Sequence, residues 1–132
     1  MEQADTFTET LRGRNLRATL PEPGEAHGAD GRVRSYRSVQ LSPRATRGLS
    51  LLGVERPDLT DLRSAALPAN AAIEALDHVA IRTQDPEAAL RLYRDGLGIR
   101  LALDRSFGAT RMLFFRVGGV TLELVQDPRV GE

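Results

Sequence analysis

The stretch QDPEAALRLYRDGLG, residues 84–98, carries both a helix start and a helix stop, and it stands between one alternating apolar run and three others. Asp85 is placed to cap, Pro86 suits the first helical position, Glu87 complements the positive end of the helix dipole, and Gly96 and Gly98 can end the helix. Ala89, Leu90, Tyr93 and Leu97 recur at helical spacing, which gives the helix one face to bury. Before it lies LDHVAIRT (76–83); after it lie IRLALDRSF (99–107), TRMLFFRVGG (110–119) and VTLELVQ (120–126), separated by a Gly108-Ala109 turn and a Gly118-Gly119 turn. These runs alternate or are rich in β-formers, so the predicted order is strand, helix, strand, strand, strand. A single helix and four strands imply a sheet with one face covered and one face open.

That order decides what His78 faces. Val79, Ile81, Leu122 and Leu124 are the apolar alternate positions expected beneath the helix, which leaves His78 and Glu123 pointing to the opposite, concave face. A strand histidine taken alone is a structural residue more often than a ligand. Imidazole and carboxylate on neighbouring positions of one face, however, make half of a site for zinc, iron, nickel or manganese. Two donors hold a divalent ion poorly, so the other half has to come from elsewhere. Arg82, Arg111 and Arg116 are candidates to steer a carboxylate or phosphate, and solvated arginines otherwise.

The 132 residues suffice for one domain with a core plus an arm. Eighteen basic and 18 acidic residues give a net charge of zero, which argues against nucleic-acid binding or an anionic membrane as partner. Every basic residue is arginine. The absence of cysteine excludes thiol catalysis, thiolate metal sites and disulfides. No apolar run approaches the span of a bilayer and MEQADTFTET is acidic and polar where a signal peptide would be basic and apolar, so a cytoplasmic protein is the expectation. The stretch PDLTDLRSAALPANAA (57–72), with two prolines and several small residues, reads as a linker between an N-terminal arm (1–56) and a module (73–132). In the arm, Asp5 and Glu9 lie in an end expected to fray, and His27 reads as a loop histidine. Gly24, Gly28 and Gly31 form no phosphate-cradling pattern, and Gln40, Ser42 and Thr46 are explained as well by turn and strand duties as by a polar pocket.

On the residues LDHVAIRTQDPEAALRLYRDGLGIRLALD and MLFFRVGGVTLELVQ, the chain from residue 76 onward resembles one βαβββ module of the vicinal oxygen chelate superfamily, the glyoxalase, bleomycin-resistance and dioxygenase-like proteins. The resemblance implies an α+β fold in which two modules pair to close a cup-shaped site, each supplying one ligand from its first strand and one from its last. Carried across, those positions are His78 and Glu123. RSVQLSPRATRGLSLLGVERP (37–57) resembles the closing two strands of another such module, with Leu52 where metal-dependent relatives carry a glutamate. The arm shows no recognisable first strand or helix, so it is expected as a β-rich partial module.

The resemblance also implies a function: a divalent ion polarises vicinal oxygens of a small substrate in lyase, isomerase, epimerase or dioxygenase-type chemistry, with Glu123 as ligand and proton carrier. Two alternatives belong to other classes, a metal-free small-molecule binder of the resistance type and a pairing module in which His78 and Glu123 bond to one another. A homodimer, or a further module of the same type, is the partner expected to cover the open cup and sheet edge.

Overall fold

A computed structural model of the chain describes residues 3–57, 69, 70, 72, 73 and 75–129. The fold is α+β, in two compact units, Met1–Pro68 and Ala69–Glu132. Most of the stretch expected as a linker, 57–72, lies outside the described residues.

The C-terminal unit runs β4 (His78–Thr83), α2 (Pro86–Leu90), β5 (Arg100–Phe107), β6 (Thr110–Val117) and β7 (Val120–Gln126). The sheet order is β4-β7-β6-β5, with β4 parallel to β7 and the other pairs antiparallel. Asp85 caps α2, its Oδ1 accepting the Ala88 N–H at 2.9 Å, and Pro86 occupies the first turn. Past Leu90 the helix widens into a π-helical stretch, Arg91–Gly96, and Gly98 closes it at φ +70°, a conformation that favours glycine.

The helix buries Ala89, Leu90, Leu92 and Tyr93, and the sheet answers with Leu113, Phe115 and Leu124, all nearly inaccessible. The Tyr93 and Phe115 rings meet with centroids 5.6 Å apart. Each of the leucines and Phe115 stabilises by about 1.5–3 kcal/mol relative to exposure. Of the positions expected beneath the helix, Leu124 is buried, Ile81 and Leu122 are half-buried, and Val79 is exposed. The reason is topological: Val79 sits on the edge strand β4, while Leu113 and Phe115 on the central β6 take the middle of the layer. Arg111, on that same side, bridges Glu87 of α2 and Asp104 of β5.

The N-terminal unit departs from expectation. Residues Gln3–Gly13 form a helix, α1, ahead of β1 (Glu22–His27), β2 (Val33–Gln40) and β3 (Leu52–Glu55), which pair antiparallel in chain order. The expected frayed end is therefore corrected: α1 packs on β2 and β3 and buries Ala4, Thr8 and Leu11, with Val39 and Leu41 buried in the sheet. Asp5 accepts from both terminal nitrogens of Arg37, at 2.8 and 3.0 Å, which ties the first helical turn to β2. His27, expected in a loop, is the last residue of β1. The β1 sequence EPGEAH is poor in β-formers and is held by its pairing with β2, where Gly24 leaves room for the Tyr36 ring; a Cβ there would stand 2.4 Å from a ring atom. Thr46 is buried and its hydroxyl lies 3.2 Å from the Pro43 carbonyl, a turn duty.

Candidate functional site

The pairing registers fix which side chains share the helix-free face of the C-terminal sheet. His78 is opposite Thr121 and Ala80 is opposite Glu123, so His78, Ala80 and Arg82 face the same way as Thr121, Glu123 and Val125. Phe114 is opposite Glu123 and Leu103 is opposite Phe114, which adds Met112, Phe114 and Arg116 from β6 and Leu103, Arg105 and Phe107 from β5. The face is thus divided. Imidazole and carboxylate stand over β4 and β7, one diagonal step apart, and over β6 and β5 stand the apolar Leu103, Met112, Phe114 and Phe107 together with Arg105 and Arg116.

His78 is half-exposed, and its Nδ1 lies 3.0 Å from the Asp77 carboxylate. Asp77 precedes β4 and is anchored there by its own carbonyl, which accepts the Thr121 N–H at 2.9 Å. The hydrogen bond to Asp77 is the main cause that holds the imidazole pKa above its ordinary value of 6.5; desolvation opposes it, and the charges of Asp77 and Glu123 add to the rise. A neutral His78 that donates its Nδ1–H to Asp77 presents its lone pair at Nε2. This is the arrangement in which a carboxylate orients a ligating histidine. Strand alternation assigns Asp77 to the face of Val79 and Ile81; the carboxylate reaches His78 because Asp77 lies outside the ladder, where that period no longer governs.

Of the three arginines expected to steer an anion, Arg116 is on this face and donates to the Thr121 hydroxyl at 2.6 Å. Arg82 is exposed and lies 3.5 Å from Asp127. Arg111 belongs to the opposite, helix-covered side, where Glu87 and Asp104 hold it. Leu52, in β3, has its side chain mostly exposed and supplies no oxygen to a site. Among the described residues no three or more His, Asp or Glu side chains gather closely enough to hold an ion. His78 and Glu123 are chemically suited to a divalent cation but make only half of a four-donor set.

The sequence of residues 75–131 matches the model of the Glyoxalase/Bleomycin resistance protein/Dioxygenase superfamily. The C-terminal unit belongs to that superfamily.

Three solved structures resemble the chain containing this glyoxalase-superfamily unit. A protein designated SMU.1112c is 22% identical, with a TM-score of 0.41 over 91% of this chain and 86% of that one. Lactoylglutathione lyase from Agrobacterium tumefaciens is 16% identical, with a TM-score of 0.40 over 98% and 87%. A mutant of the fosfomycin resistance protein FosX from Listeria monocytogenes, complexed with Mn(II) and 1S,2S-dihydroxypropylphosphonic acid, is 14% identical, with a TM-score of 0.39 over 96% and 83%. No curated protein matches the sequence. No described helix is long and apolar enough to cross a membrane.

The Asp77–His78 contact in the glyoxalase-superfamily unit carries a prediction. In a proton NMR titration His78 titrates above 6.5, and Asp77→Asn moves its midpoint down toward that value. An unchanged midpoint would show that Asp77 does not hold the ring in solution.

Proposed function

We propose that the helix-free face of the C-terminal unit is half of a divalent-cation site for a small oxygen-bearing ligand, completed by a second copy of the unit or by another module of its kind. The observation that carries this reading is the placement of His78 and Glu123 on one face with Asp77 behind the imidazole. His78 offers Nε2 as a donor, and Glu123 offers a carboxylate oxygen as a second donor or as the acceptor of a proton from the ligand. The ion, when bound, supplies Lewis-acid polarisation of ligand oxygens. Phe114, Met112 and Leu103 give the ligand a wall that excludes water, and Arg116 places a positive charge at the rim for an anionic group. Lyase, isomerase and dioxygenase-type reactions all begin from such an arrangement, and the residues present favour proton transfer because, among the described strand residues, Glu123 is the one carboxylate on the face of His78.

Leu52 favours a second reading, a metal-free binder. The N-terminal unit carries an exposed apolar side chain at the position aligned with a ligand, so it offers no matching oxygen there.

Metal content separates the two readings. Protein equilibrated with nickel, zinc or manganese and then dialysed is expected to retain one ion per two chains, with the retained ion lost as pH falls below the raised His78 pKa and the imidazole becomes protonated. Retention of no ion by any of the three metals overturns the metal reading and leaves the binder.

A further inference from the structure

On β6 and β5 the helix-free face of the C-terminal unit follows a pattern of its own. Arg116 stands opposite Arg100, Phe114 opposite Leu103, and Met112 opposite Arg105. An apolar pair thus lies between a pair of arginines and a pair that contains a third. Side chains return to one face every second residue, so the outer pairs are about 13 Å apart along β6. The first pair continues across the sheet through Thr121 to His78, and the last through Val125 to Arg82. The face is therefore basic at both ends and not in the middle.

The charge at those ends is unmatched. Residues 69–132 contain eight arginines and nine acids, so the unit has acid enough for every arginine. Arg82, Arg91, Arg94, Arg111 and Arg129 each lie within 3.9 Å of a carboxylate oxygen. The other three are Arg100, Arg105 and Arg116, and among the described residues none of them pairs with a carboxylate. Arg116 donates to the neutral hydroxyl of Thr121 instead, and the Arg105 guanidinium lies over the Phe107 ring, 5.3 Å from its centroid. Between these charges Leu103 is about half exposed, an apolar surface with water on it.

We propose that this face takes an elongated small molecule with an acidic group at each end and an apolar middle. One acidic group lies between Arg116 and Arg100, beside His78; the body covers Phe114 and Leu103; the other group meets Arg105. Guanidinium groups suit carboxylate or phosphate oxygens because two parallel N–H donors match two acceptors. A ligand with one anion satisfies one end of the face and leaves the other uncompensated. A second copy laid over the face brings its own copy of these arginines, so pairing raises the demand for negative charge. The inference rests on the reading of this face as a ligand site and adds the class of the ligand; it does not depend on the ion.

The probes are decanedioate, decanoate and butanedioate, titrated by calorimetry into the full chain without added metal. Decanedioate is expected to bind about tenfold or more tighter than either of the others, because it alone joins two carboxylates through an apolar chain long enough to reach both ends. Arg105→Gln is expected to bring decanedioate down to the affinity of decanoate. Arg91→Gln removes the same charge from the π-helical stretch and is expected to change nothing. Equal affinity for decanedioate and decanoate, or full affinity in the Arg105 variant, overturns the two-ended ligand and leaves the face as a site for a smaller one. Binding of none of the three probes also overturns it. The metal reading then stands or falls on ion retention, which is measured without these probes.

Discussion

Phe115→Ala unfolds the C-terminal unit at room temperature while the N-terminal unit keeps its structure. Phe115 is wholly inaccessible, lies on a central strand and meets the Tyr93 ring, so truncation leaves a cavity that neither the helix nor the neighbouring strands can fill. Losses of this kind cost about 3–5 kcal/mol. A unit of this size holds roughly 3–10 kcal/mol in all, so the deficit consumes most of its margin. Phe107→Ala is the control: that ring is more than half exposed and has an arginine rather than a core against it, and the change is expected to stay within about 0.5 kcal/mol. Amide exchange resolved by unit reads the result. Retention of protection in β6 and β7 of the Phe115 variant would show that the helix-covered layer is not what holds the unit together.

The second large effect concerns the ion. His78→Ala and Glu123→Gln are each expected to lower divalent-cation affinity by about a hundredfold or more, because each removes one donor from a site that has only two per unit. Asp77→Asn keeps both donors and is expected to cost about tenfold, the scale of an outer partner that orients a ligand. The graded order matters more than any one value. Equal losses in all three variants, or none, would mean that the ion sits elsewhere; His78 is exposed and Glu123 half-buried, and circular dichroism of each variant separates loss of the ion from loss of the fold.

The C-terminal unit was legible because its signals are local. Asp85, Pro86 and Gly98 mark the ends of one helix, and glycine pairs mark the turns between strands that alternate. The shared face of His78 and Glu123 followed from the period of two together with a single helix that claims the apolar positions Val79, Ile81, Leu122 and Leu124. What escaped depends on contacts distant in sequence. Threonine-rich α1 gains its helix by burying Ala4, Thr8 and Leu11 against strands that come later, and β1 owes its extended shape to the partner strand β2. Arg111 could have faced either way until the register placed it beside Asp104 and Glu87. Asp77 reaches the His78 ring from the residue just before β4, a contact that strand alternation does not foretell. Exposure of Val79 is likewise a property of strand order, with β4 at the edge of the sheet.

The chain has no tryptophan and two tyrosines, and the fold gives one of them to each unit. Tyr36 lies half-exposed against Gly24, whereas Tyr93, in the π-helical stretch after α2, is buried against Phe115, where desolvation lifts its phenol above the ordinary value of 10. Each unit therefore carries its own optical reporter. In a Tyr36→Phe variant tyrosine emission then follows the C-terminal unit alone, and in a Tyr93→Phe variant the N-terminal unit alone.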